Sequence, residues 1–208
     1  NMKKTTLGEL VANAVSHGIG IIFAITALVL MLLKAQGTAE VLSSLAFGVS
    51  MIILYTSSTL FHSFPEKMKR VYTVFQRLDH SSIFLLITGT YTPFLVLLLG
   101  TTEAYILLIT LWLITILGIV MKSIWIHKFQ MIHLVIYLVM GWSIVIIFKG
   151  VYAGLGDNFI FILLGGISYT VGVGFYVSKF KYQHFVWHLF VLGGSVFHFI
   201  AVYVSLLG

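Results

Sequence analysis

Apolar runs of about twenty residues recur along this whole chain, as in "VANAVSHGIGIIFAITALVLMLL" and "YILLITLWLITILGIV", and they constrain its fold more than any other feature. At 1.5 Å of rise per residue, such a run in helical form matches the ~30 Å hydrocarbon core of a bilayer. Of 208 residues, 60% are hydrophobic and 9% are charged, against roughly 25% charged in soluble domains. The mean hydropathy is +1.08. A water-soluble globule is excluded, and no polar stretch is long enough to bury a core of its own. The chain reads as an all-α polytopic membrane protein, one transmembrane domain over residues 1–208. With no cysteine, disulfides and thiolate metal sites are excluded. Asn1 ahead of Met2 reads as an addition to the natural start. Lys3 and Lys4 precede an apolar stretch that is too long for a signal peptide and lacks a clear cleavage site, so it reads as an uncleaved first span.

Seven spans are expected, at 10–33, 41–63, 79–99, 103–121, 129–148, 158–177 and 184–207. The longest connection is the basic stretch "FPEKMKRVYTVFQR". Pro65 fits the end of the second helix, and Pro93 is expected to kink the third. Gly165, Gly166, Gly172 and Gly174 in the sixth span read as places where helices approach closely. The lysines and arginines orient the bundle. Lys3, Lys4, Lys67, Lys69, Arg70, Arg77, Lys122, Lys128, Lys179 and Lys181 fall on one side, and Lys34 and Lys149 on the other. The positive-inside rule then puts the N-terminus in the cytoplasm and the C-terminus outside. The net charge of +6 lies mostly on the cytoplasmic rim, where it meets anionic lipid head groups and implies no nucleic-acid partner.

That orientation brings polar residues from distant parts of the chain to one depth. His184 and His188 open the last helix, four residues apart and hence on one face. The second helix ends at "SSTLFHSF", with His62 near the same membrane side and Ser58 one turn earlier. The third begins there with "RLDHSSIFLL", carrying Asp79 and His80. Three neutral imidazoles with one oxygen ligand form a tetrahedral zinc site, and catalytic zinc leaves its fourth position to water. A buried aspartate beside that water can act as its base. The competing reading makes each histidine a hydrogen-bonded packing residue. His198, about 15 Å deeper, is excluded as a ligand. His127 and His133 fit an interfacial placement. Glu9, Asn13 and His17 form a polar stripe on the first helix, either a support for the cavity mouth or a solvated helix end. There is no G-x-S-x-G elbow and no H-E-x-x-H motif.

Ser58-Thr-Leu-Phe-His62, Leu78-Asp79-His80-Ser81 and His184-x-x-x-His188 resemble the signature motifs of the hemolysin III family. That family belongs with the progestin and adipoQ receptors and, more distantly, the alkaline ceramidases. "ANAVSHGIG", "LITGTYTPF" and the terminal "FHF" extend the resemblance over nearly the whole chain. It implies a seven-helix fold with a cytoplasmic N-terminus. It also implies zinc held by His62, His184 and His188, with Asp79 on the zinc-bound water and Ser58 beside it. Relatives are associated with lipid signalling, and some with ceramide hydrolysis.

The expectation is a multi-pass cell-membrane protein, a zinc-dependent hydrolase cutting an amide or ester in a lipid or acyl-chain substrate. Asp79 would be its base, and Ser58 would position the water or stabilise the oxyanion. The alternatives are a receptor or lipid-homeostasis sensor with structural zinc, and a cytolysin or channel.

Overall fold

The computed structural model describes residues 5–126 and 128–207. The readings that rest on Asn1, Met2, Lys3, Lys4 and His127 lie outside the described residues. Those residues contain helices and turns and no strand. The elements are α1 (Leu7–Lys34), α2 (Thr38–Ser63), α3 (Lys69–Pro93), α4 (Thr102–Ile124), α5 (Gln130–Trp142), α6 (Phe148–Leu155), α7 (Phe159–Val177) and α8 (Gln183–Ser205).

Six helical segments are long and apolar enough to cross a membrane: Leu7–Lys34, Thr38–Ser63, Lys69–Leu99, Thr102–Ile124, Gln130–Val177 and Gln183–Ser205. The expected fifth and sixth spans therefore fall inside one continuous stretch of 48 residues. Straight, that stretch would run about 72 Å, more than twice the hydrocarbon core. It folds back instead. The Trp142 indole Nε1 donates to Thr170 Oγ1 at 3.1 Å, and the Phe148 and Phe159 rings meet at 5.3 Å, so α5 and α7 run antiparallel. The reversal passes through 3₁₀ turns at Ser143–Ile147 and Gly156–Asn158. No coil gap marks it, because these turns keep helix-like hydrogen bonding.

Local chemistry sets several helix ends. Thr6 and Glu9 form a reciprocal capping box at the start of α1. Phe64 follows α2 and Pro65 comes next, where the chain cannot continue helically. Helix α3 begins at Lys69, ten residues before the expected start at Asp79. Hydropathy finds where the apolar run begins, whereas the stretch 69–77 is interrupted by Lys69, Arg70, Gln76 and Arg77 yet holds no glycine or proline to break a helix. Pro93 is followed by a π-helical turn over Phe94–Leu99, closed by Gly100 N donating to Leu95 O at 3.0 Å. The change of helix type follows the missing N–H of proline.

Helix α2 packs between α1 and α3, and α8 between α1 and α7, while α4 lies against α3. Phe47, Met51, Leu54 and Tyr55 of α2 sit at the centre of the larger core, with Val191, Ala201 and Val202 of α8. Thr88 and Thr115 share a 2.7 Å hydrogen bond between α3 and α4, the kind of buried polar contact that holds helices together in lipid. Outward, α4 presents Ile106, Ile109, Leu113, Ile116 and Leu117, all more than half exposed. In water such a face would aggregate; in a multi-pass membrane protein it meets acyl chains. The glycines of α7 divide. A Cβ on Gly165 would meet the His198 ring at 2.3 Å and one on Gly172 would meet Trp187 and Phe190 at 2.8 Å, whereas Gly166 and Gly174 face open space.

Candidate metal centre

Two helices bring the three histidines together. His62 comes from the last turn of α2, and His184 and His188 from the first two turns of α8. The rings lie 4.9 Å (His62–His184), 5.1 Å (His62–His188) and 4.6 Å (His184–His188) apart between centroids. One nitrogen from each can be chosen so that all three lie within 4.8 Å of one another, so the trio could hold a metal ion. At Zn–N distances of 2.0–2.1 Å, tetrahedral ligand nitrogens stand about 3.3 Å apart. The rings would close by about 1.5 Å at most around zinc, within reach of side-chain rotation.

Hydrogen bonding fixes which atom His188 offers. Its Nδ1 lies 3.1 Å from the backbone carbonyl of Asn13 and 3.0 Å from Ser16 Oγ. A carbonyl can only accept, so Nδ1 carries the proton and Nε2 keeps its lone pair. Ser16 Oγ itself donates to Asn13 O at 2.9 Å, which leaves its oxygen free to accept from the ring. This is the second contact that metal-ligating histidines commonly make to fix their orientation. His62 Nε2 is buried with no hydrogen-bond partner. A buried orphan nitrogen is costly, and a metal ion would satisfy it. On these two observations the donor set is suited to a metal ion that takes neutral imidazole ligands.

Helix α1 contributes more than was expected of it. His17 is 3% exposed and stacks flat on His188, with ring centroids 3.5 Å apart and planes 11° off parallel. Neither of its ring nitrogens has a hydrogen-bond partner. Asn13 is equally buried, so the solvated-helix-end reading fails for both. Their stripe faces α8 because α1 packs along it. Glu9 alone stays at the surface, where its Oε1 accepts from Tyr182 N at 3.1 Å and ties the start of α1 to that of α8. Ser16 escaped the sequence reading. Its signal was the spacing of Asn13, Ser16 and His17 in "NAVSH", three and four residues apart on one helical face.

Asp79 lies well inside α3, nearly three turns from its start. Its Oδ2 is 3.4 Å from His80 Nδ1, which is bonded at 2.8 Å to Gln76 O. Ser58 is fully buried with its hydroxyl directed at the Asp79 carboxylate, though short of well-formed hydrogen-bond geometry. Tyr137 of α5 donates to His80 O at 2.8 Å and holds α5 against this level of α3.

Asp79, His184 and His188 line a cavity of about 140 Å³ whose walls include Leu86, Leu134 and Val191. Thr90, Tyr91, Trp142 and His198 also line an adjoining, more apolar space of about 410 Å³. His198 sits apart from the trio, with Nε2 bonded to Ile162 O at 3.3 Å. His133, expected near the membrane interface, does stand in the first turn of α5, but it is not solvated there. That residue is 0% exposed, because α5 turns it inward beneath Phe84.

A family profile described as "Haemolysin-III related" matches residues 7–199. The chain is 44% identical over 202 residues to the "Hemolysin-3 homolog" of Bacillus subtilis (strain 168), covering 95% of this chain and 94% of that one. It is 42% identical over 200 residues to "Hemolysin-3" of Bacillus cereus, covering 93% and 90%. It is 27% identical over 206 residues to the human "Monocyte to macrophage differentiation factor", covering 96% and 85%.

Proposed function

The chain belongs to the haemolysin-III-related family, and from that premise we propose that it is a zinc-dependent hydrolase of the membrane, cutting an amide or ester bond in an acyl lipid. In this reading the bundle has seven spans, with α5 and α7 counted separately, a cytoplasmic N-terminus and an external C-terminus. The observation that carries the proposal is the convergence of His62, His184 and His188, two of which line a mostly apolar cavity together with Asp79.

Zinc held by the three histidines would acidify a water molecule and polarise the scissile carbonyl. The chain's own groups supply the rest. The Asp79 carboxylate takes the proton and later returns it to the leaving group, keeping the proton count closed. The Ser58 hydroxyl, buried beside the Asp79 carboxylate, has a donor that can turn to water or to a developing oxyanion. Asn13 O and Ser16 hold the His188 ring in one tautomer and one orientation. The apolar walls take the acyl chain and exclude bulk water, which strengthens every charge interaction at the site.

A sensor that uses zinc structurally is the second reading, and His17 favours it. A ring stacked at 3.5 Å on His188 covers one side of the site. The name of the Bacillus cereus relative supports a cytolysin or channel, against which the mainly apolar cavity walls weigh.

The test uses purified protein in lipid, metal analysis, and a panel of ceramides and other acyl lipids with detection of released fatty acid. The wild type should hold one zinc and release fatty acid. Asp79→Asn should keep the metal and lose roughly 10²–10⁴-fold in turnover. Zinc binding with equally little release from both proteins would favour the sensor.

A further inference from the structure

Lys122 stands in the last turn of α4. Charge counting places it among solvated rim lysines, but it is 2% exposed and lines the cavity that also holds Asp79, His184 and His188. Among the described residues, no carboxylate lies within 4.0 Å of its ammonium. Lys34 shows how this chain settles another lysine at a helix end. Its Nζ donates to Tyr203 O at 2.8 Å and lies 4.8 Å from the Tyr203 ring centre. Lys122 has no such arrangement. The nearby His133 is fully buried, and both its ring nitrogens lack partners.

An ammonium set in a mostly apolar cavity wall without an anion is expensive, and the carbonyls at a helix C-terminus offset little of that cost. The cavity's acidic lining residue is Asp79, and it is not paired with Lys122. The cavity is therefore bipolar, with a carboxylate and metal-ready histidines in one part of its lining and an unpaired cation in another. Leu134 and Leu138 line it as well.

We propose that Lys122 binds an anionic oxygen group, a carboxylate or phosphate, on an acyl lipid whose chain lies along the apolar wall. The inference deepens the hydrolase reading, since it makes the lipid that reaches the metal centre an acidic one, but the binding itself requires no turnover.

The experiment therefore uses the full-length protein in detergent, stripped of metal so that no carboxylate can coordinate it. Displacement of a fluorescent acyl probe is measured with hexadecanoate, N-hexadecanoylglycine, hexadecyl phosphate and hexadecanol. The wild type should prefer at least one anion over the alcohol by roughly 10-fold or more, the scale of a charge-assisted hydrogen bond. Lys122→Met should abolish the preference and Lys122→Arg should retain most of it, with thermal unfolding checked for each. If Lys122→Met does not fold, Lys122→Gln takes its place. Equal affinity for anion and alcohol in the wild type overturns the proposal, as does a preference that survives loss of the lysine. Tighter binding of hexadecanoate than of the other anions assigns the site to a released fatty acid; the reverse order assigns it to a substrate head group. A protein that shows the preference but cleaves nothing keeps this assignment and loses the hydrolase reading.

Discussion

Ser16→Ala tests whether α1 tunes the metal centre from outside its ligand set. The His188 Nδ1–H is held by two acceptors, Asn13 O at 3.1 Å and Ser16 Oγ at 3.0 Å. The substitution removes the second and leaves the first, because a backbone carbonyl survives any side-chain change. His188 keeps its tautomer but loses part of its orientation. Losing an outer-shell partner typically lowers metal affinity 10–100-fold, and with one of two contacts retained the lower end applies, about 10-fold or ~1.4 kcal/mol. Ser16 is 4% exposed, so the lost hydroxyl leaves a small void and no unpaired charge. Folding stability should fall by about 1 kcal/mol or less. The assay is competition for zinc against a chelator of known affinity, with stoichiometry measured in parallel. Stoichiometry should stay at one, with affinity about 10-fold weaker. An unchanged affinity would show that Ser16 does not support the ligand. Complete loss of metal would show that the Asn13 carbonyl cannot hold the ring alone.

Acid should release the metal. The ligands must be neutral imidazoles, so protons compete with the ion, and the apparent affinity falls as the pH drops far enough to protonate them. A chelator-competition titration should show the logarithm of the dissociation constant rising by up to three per pH unit once the imidazoles protonate, and a profile that stays flat down to the pH of acid unfolding would exclude histidine ligation. Gly165→Ala places a methyl group 2.3 Å from the His198 ring, forcing that ring off Ile162 O. An overpacking cost of about 1–3 kcal/mol should lower the unfolding temperature while zinc stoichiometry holds; loss of zinc would tie His198 to the site. Reporters fused to the two ends should read inside at the N-terminus and outside at the C-terminus. Both on one side would mean an even number of crossings and would undo the seven-span reading.

The sequence alone determined the solvent and the secondary structure. Apolar runs long enough to cross hydrocarbon leave the helix as the way to satisfy the backbone within each run, and six such segments are present. It also led to the expectation that His62, Asp79, His184 and His188 share one level, since helix rise and alternating direction convert residue number into depth, and the three histidines do come together. Depth says nothing about rotation around the bundle. The meeting of His62 with the α8 histidines, the stacking of His17 on His188 and the anchoring of Nδ1 by Asn13 and Ser16 depend on which face of each helix packs on which neighbour, and side-chain contacts between helices decide that. Lys122 and His133 show the same limit. Counted as charges and interfacial polar groups they belong at the rim, yet both are buried. A one-dimensional pattern reports how far along a helix a residue lies. Whether that residue meets lipid, water or a cavity is set by packing against segments far away in the chain.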